Sequence, residues 1–356
     1  MVWNEYDWSQ KNIAFVVKFA TTYGPYMSSL CFNNCRYMTE NVFEQCIQNC
    51  PNLTELNLEN CNALQRIRTV AGKKEKKSQM LSEDLFRNLT SLSVAYTSIA
   101  VPDVRNIISL CAGTLQVLDL RGLRFKFSNL FVKIMGRNEP PSVLSLPNVH
   151  TFKLGGYNRS LSKSELNDLF VLWLPNVTNL TVSSFSHVNS GSIEILNNAN
   201  RWELTKLEIY NVDESLTSVK MENSYSTEKL LSQISDKITH LSVEIQNIFS
   251  LAGFDQFFAR QNLSLQSLTI TVVYYDDDNI IAEILLNAPI SLRVFELKLM
   301  GPLPLRKLSE PVYERTPLVP LDSLRHQFTK FKVNRLIVSP VWFEHIQKLN
   351  LRLRIQ

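Results

Sequence analysis

Apolar residues recur along the chain in a six-residue signature. Positions 1, 4 and 6 are apolar, and most of the residues between them are polar or small, as in Leu53-Thr-Glu-Leu-Asn-Leu58. Copies begin at Met27, Leu53, Leu89, Leu115, Val149, Val177, Leu204, Ile238, Leu265, Leu292 and Val333. The separations are 26, 36, 26, 34, 28, 27, 34, 27, 27 and 41 residues, so the unit is 26–28 residues long and four longer gaps carry insertions. A fixed outer period combined with a fixed inner pattern is the mark of a repeat array. Positions 4 and 6 lie two apart, which on a short strand puts both on one face. Position 1 turns inward from the bend before the strand.

The remainder of a unit reads as helical. In Thr39-Glu-Asn-Val-Phe-Glu-Gln-Cys-Ile-Gln48, the residues Val42, Phe43, Cys46 and Ile47 form one stripe of period 3.6, and Thr39 is the expected N-cap. Asn49 and Cys50 then close the helix before Pro51. One strand–helix pair cannot bury its apolar face alone, whereas stacked neighbours can. The predicted fold is therefore α/β, a leucine-rich-repeat solenoid. A parallel sheet lines its concave face and helices line its convex face. Helices are wider than strands, about 10 Å against about 4.8 Å, so the stack is expected to curve into a horseshoe.

Strand residues between the buried positions point outward and form the predicted binding surface. They include Asn57, Glu59, Asp119, Arg121, Lys153, Lys206, Glu208, Tyr210, Glu244, Glu296 and Lys298. Their mixed signs suit a protein partner better than a nucleic acid, which calls for a basic stripe. Arg121 and Tyr210 are of the types that anchor interfaces. Residues 1–26 are expected to be an N-terminal cap with the helix of a partial repeat, 27–338 the eleven repeats, and 339–356 a C-terminal cap. Insertions are placed near 65–80, 136–147, 211–237 and 301–322. The first holds the basic run Ala71-Gly-Lys-Lys-Glu-Lys-Lys77, and the last holds five prolines in 301–322.

Composition narrows the classes. The chain has 356 residues, 45% hydrophobic and 20% charged, with a net charge of +4, too near balance to favour nucleic acid or an anionic membrane. No basic leader followed by an apolar run opens the sequence, and no run of about 18 apolar residues occurs, so a cytoplasmic or nuclear location and no membrane association are expected. The six cysteines, Cys31, Cys35, Cys46, Cys50, Cys61 and Cys111, fall on repeat positions and read as packing thiols, with Cys31 on the outward side. His150, His187, His240, His326 and His345 form no metal or catalytic spacing. Asp276-Asp-Asp278 lacks a calcium-loop pattern and reads as a solvated loop, with a rim loop contacting a basic partner the alternative. Of the Asn-x-Ser/Thr sites, Asn52, Asn88 and Asn176 each directly precede a copy's first position. No catalytic residue, metal or cofactor is expected.

Cys50-Pro-Asn-Leu-Thr-Glu-Leu-Asn-Leu-Glu-Asn-Cys61 resembles the cysteine-containing repeat of F-box/leucine-rich-repeat proteins, and Cys111-Ala-Gly-Thr-Leu-Gln-Val-Leu-Asp-Leu120 is similar to it. The wording is best over residues 27–123; later copies keep the apolar skeleton without the cysteine. The resemblance implies a substrate-recognition module of an SCF-type ubiquitin ligase. Its partners would be a protein substrate on the concave face or rim loops and, where an F-box exists in the full-length or diverged form, the adaptor subunit and a cullin. No F-box is recognised in this chain, so no adaptor-binding residue is assigned. A non-ubiquitin adaptor or structural scaffold is the alternative, and an extracellular receptor ectodomain a second.

Overall fold

A computed structural model describes residues 10–67, 81–123, 127–133, 142–155, 165, 168–183, 203–210, 231, 234–247, 252–260, 264–274, 288–299 and 330–333. The chain divides into two compact units, Met1–Phe185 and Ser186–Gln356. Both are α/β, and every strand of their main sheets runs parallel.

In the first unit, helix α1 (Gln10–Tyr23) and a 3-10 turn (Gly24–Tyr26) lead into β1 (Ser29–Cys31). Then come α2 (Glu40–Ile47), β2 (Glu55–Asn57), β3 (Ser91–Ser93), α3 (Val101–Leu110) and β4 (Val117–Asp119). A small antiparallel pair, β5 (Val132–Lys133) with β6 (Ser142–Val143), precedes β7 (Thr151–Gly155) and β8 (Asn179–Ser183). The main strands lie in the order β1-β2-β3-β4-β7-β8. In the second unit, β9 (Lys206–Tyr210), β10 (His240–Asn247), β11 (Ser267–Tyr274), β12 (Val294–Leu299) and β13 (Lys330–Val333) lie in sequence order, with α4 (Ala252–Arg260) between β10 and β11.

The pairing register keeps each position of the signature opposite itself. Leu30, Leu56, Leu92, Leu118, Phe152 and Leu180 are aligned across the first unit. Leu207, Leu241, Leu268, Phe295 and Phe331 are aligned across the second. In all ten copies from Met27 to Leu297, positions 1, 4 and 6 are buried; the most exposed of them is Met27, at 9%. These columns are the core, because each copy covers the apolar face its neighbour leaves open.

Polar residues just before the strand tie the copies together. The position-2 carbonyls of Ser28, Thr54, Thr90, Gln116 and His150 each accept the position-2 N–H of the next copy at 2.7–3.0 Å. Thr205, Thr239 and Gln266 do the same in the second unit. The residue preceding position 1 reaches back with its side chain. Asn52 Nδ2 donates to the Pro25 carbonyl, Asn148 to Gly113 and Asn176 to Pro147, at 2.7–2.8 Å. Asn52 and Asn176 of the Asn-x-Ser/Thr sites are thus used by the backbone stack.

Helix α2 starts after Thr39 as expected, but the Thr39 hydroxyl makes no capping bond. Its C-terminus is closed by side chains: Asn49 Nδ2 donates to Gln45 O at 2.7 Å and Cys50 Sγ to Cys46 O at 3.5 Å. Cys111 ends α3 in the same way, its Sγ donating to Ile107 O at 3.1 Å. Cys61 Sγ donates to the Phe32 carbonyl of the preceding copy at 3.1 Å. All six cysteines are free thiols.

Three expectations need correction or restriction. The last copy was expected at Val333–Val338; the observed strand is Lys330–Val333, paired Phe295 to Phe331 and Leu297 to Val333. The signature there is Phe328-Thr-Lys-Phe-Lys-Val333, five residues earlier. Residues 142–147, expected within an insertion, include β6 and the buried Leu144 and Leu146. The basic run Ala71–Lys77, the segments 211–230 and 301–322, Asp276–Asp278 and the C-terminal cap 339–356 lie outside the described residues. The N-terminal cap helix is present as α1, which packs against α2.

Candidate protein-binding face

Alternation along the strands sends positions 3, 5 and 7 away from the core. On the first unit, position 5 is Cys31, Asn57, Ser93, Asp119, Lys153 and Thr181 across the sheet. Two residues on, Glu59, Ala95, Arg121, Gly155 and Ser183 follow in their copies.

The sequence places Asp119 and Arg121 on one strand and Glu59 two strands away. The structure joins them. Arg121 Nη2 lies 2.7 Å from Asp119 Oδ2 and 3.2 Å from Glu59 Oε1, and Nε lies 2.9 Å from Asp119 Oδ1. Reaching Glu59 carries the guanidinium across β3, where the small residues Ser93 and Ala95 leave room. The guanidinium carbon also stands 5.8 Å from the centre of the Tyr96 ring, a cation–π contact. Burial alone would lower the Arg121 pKa; the hydrogen bonds and charge of Asp119, then the charge of Glu59, outweigh it and push it up. The Arg121 side chain retains 19% exposure and that of Asp119 only 5%. Arg121, expected among the residues that anchor an interface, is held in place by the acids of its own face.

Tyr96 was not anticipated. It occupies position 8 of its copy in the left-handed region, at φ 53°, where Asn34 (62°), Asn60 (61°) and Gly122 (71°) stand in theirs. Asparagine and glycine tolerate that conformation and tyrosine seldom does. A large aromatic at an Asn/Gly position was the available signal. Its ring lies so close over Gly122 that a Cβ there would meet Tyr96 Cδ1 at 2.2 Å. Its hydroxyl is 3.5 Å from Ser183 Oγ. Asn57, half-buried, accepts the Glu59 N–H on Oδ1 at 2.9 Å, which holds the chain turn that presents Glu59. Lys153 sits opposite Asp119 in register and is half-buried.

On the second unit, Lys206 Nζ and Glu208 Oε1 are 2.7 Å apart. Burial raises the Tyr210 pKa, and a hydrogen bond with Ser242 works against that rise. Glu244, Glu296 and Lys298 are half-buried on β10 and β12. His240 is exposed, its Nδ1 2.8 Å from Thr239 Oγ1.

Among the described residues, no group of three or more His, Cys, Asp or Glu could hold a metal ion. Burial pushes the thiols of Cys46, Cys61 and Cys111 up to about 12 and that of Cys50 up to about 11. Such thiols stay protonated and are poor nucleophiles at neutral pH. Among the described residues no helix is long and apolar enough to cross a membrane. Compared with protein-family models and with curated proteins, the sequence matches none.

Proposed function

We propose that the chain is a leucine-rich-repeat scaffold of the horseshoe type that binds a protein partner on the outward face of its strands and performs no catalysis. The observation that carries this reading is the column arrangement: apolar positions 1, 4 and 6 stack inward copy after copy, while charged and polar residues alternate with them outward. A repeated strand presents an extended surface that can be varied residue by residue without disturbing the core. The fixed Glu59–Arg121–Asp119 group supports binding, because charges already held in place lose little conformational freedom when a partner docks.

Within that reading, we propose the role of a substrate-recognition module of an SCF-type ubiquitin ligase, acting in the cytoplasm or nucleus. The thiol of Cys61 bonded to the preceding copy supports the cysteine-type repeat on which this rests. Affinity purification of the whole chain from cells, followed by mass spectrometry, tests it. Recovery of the adaptor subunit and a cullin is the expected result. Recovery of other partners with neither of these would leave a scaffold and remove the ligase role.

A further inference from the structure

The outward face of β1–β4 runs against the overall charge of the chain. The whole sequence carries +4. On these four strands and the two residues after each, the charged outward residues are Glu55, Glu59, Asp119 and Arg121, and Arg121 pairs with Glu59 and Asp119. Glu55 is exposed and has no ion-pair partner among the described residues. The acids occupy alternate strands, β2 and β4. Their neighbours carry small outward residues: Ser29 and Cys31 on β1, and Ser91 and Ser93 on β3. Strands lie about 4.8 Å apart, so the columns alternate between low and acidic at a spacing that fits an aliphatic stem beside a carboxylate.

A second observation points to an occupant. Ser93 Oγ, outward between Asn57 and Asp119 in register, is fully buried and has no hydrogen-bond partner among the described residues. A buried hydroxyl without a partner is uncommon and costs free energy. It lies on the strand that Arg121 crosses to reach Glu59. A partner cation that took over Glu59 would draw that bridge aside and open the hydroxyl to a donor.

We propose that the outward face of β1–β4 docks a basic, extended segment of a protein partner, its Lys or Arg stems lying over the small residues of β1 and β3 and its charged heads meeting Glu55 and Glu59. This rests on the scaffold reading and adds the chemistry of the partner. Arg121 with its two carboxylates keeps one negative charge in excess and the exposed Glu55 adds a second, which a cationic segment neutralises, while a face so charged repels an acidic segment.

The test uses the full chain and two labelled octapeptides, one alternating arginine with serine and one alternating glutamate with serine. The arginine peptide is expected to bind, weakening with salt, and the glutamate peptide to show no binding. Glu55→Gln with Glu59→Gln should weaken the arginine peptide about tenfold, and Glu55→Gln alone, which removes no internal bond, about threefold. Glu83→Gln with Asp84→Asn removes the same charge away from the sheet and should change binding less than twofold. Equal loss in both double variants would reduce the effect to net charge and overturn the proposal, as would no binding of the arginine peptide. Concentration-dependent dimerisation that Glu55→Gln with Glu59→Gln abolishes, without peptide binding, would assign the face to a second copy and also overturn it. A cellular partner retained by the Glu55→Gln, Glu59→Gln chain removes this inference and leaves the scaffold standing. No partner for the wild-type chain removes the reading beneath it.

Discussion

The two units solve the same packing problem with different strand ends. In the first, β1 to β4 are three residues each and stop before position 8, where Asn34, Asn60, Tyr96 and Gly122 turn left-handed. In the second, Ile245, Val272 and Leu299 hold that position, and their strands run to eight, eight and six residues. Branched and bulky side chains disfavour positive φ and favour the extended form, so the chain continues as strand. In the seven copies whose position 8 is described, strand length follows the backbone at that position, and Tyr96 turns left-handed against the preference of its side chain. The short ends bend the chain back early, and there the first unit builds the Glu59–Arg121–Asp119–Tyr96 group. All six cysteines also lie in the first unit.

The thiols give the largest separation between the units. Unfolded thiols ionise near the ordinary value of 9.0, whereas four folded ones hold their protons to about 11 or 12. Below the ordinary value both states are protonated and stability is unaffected. Above it the unfolded state alone loses protons, so stability falls until the folded thiols titrate. Each thiol contributes about 1.4 kcal/mol per pH unit in that window. The loss from the four is on the order of 5 kcal/mol between about pH 9 and about pH 10. Urea midpoints across that window should drop more for wild type than for Cys61→Ala with Cys111→Ala, which removes half the effect. Equal slopes would mean that the thiols do not set alkaline stability.

Next is the turn itself. Gly122→Val places a branched residue at φ 71° and a Cβ against the Tyr96 ring, and is expected to cost about 3–4 kcal/mol in urea unfolding. Val272→Ile, which keeps a branched residue on the extended backbone of the second unit, should cost no more than about 1.5 kcal/mol. Comparable losses at the two sites would break the claim that position 8 divides them.

The ion pairs come third. Arg121→Met strands the buried Asp119 carboxylate and is expected to cost about 2–3 kcal/mol, short of the full penalty for a buried pair because Glu59 retains exposure. Lys206→Met removes an exposed ammonium and leaves Glu208 partly open to solvent, and should stay within about 1 kcal/mol. If both variants unfold like wild type, the first-unit group is decoration on the surface.

Much of this was legible in the residues. The inward columns could be read because an apolar pattern with a fixed outer period has few other solutions. Cys61 and the asparagines before position 1 could be placed by their repeat positions alone. The last copy was misread because Phe328, Phe331 and Val333 satisfy the signature as well as Val333, Leu336 and Val338 do, and only pairing with β12 separates them. The charged group was half visible. Outward positions follow from alternation, but that Arg121 reaches back to Glu59 depends on Ser93 and Ala95 being small, on β3 lying between, and on Tyr96 taking a conformation that its side chain resists. Contacts across 62 residues of sequence have no local pattern to reveal them.

The smallest effect bears on what the units share. Before position 1, Asn52 donates to the Pro25 carbonyl at 2.7 Å in the first unit, and Ser264 donates to Asp236 O at 2.7 Å in the second. The residues differ, but each satisfies a carbonyl two places before the preceding copy's first position. Removing either donor leaves a carbonyl at the stack edge that water can reach in part, so Asn52→Ala and Ser264→Ala are each expected to cost about 0.5–1.5 kcal/mol. Thermal unfolding of the two variants measures it. Matched losses would mean that the slot carries the same physics in both units and that their divergence is confined to the strand ends. A loss at Asn52 alone would extend the difference to the strand starts, and position 8 would no longer account for it.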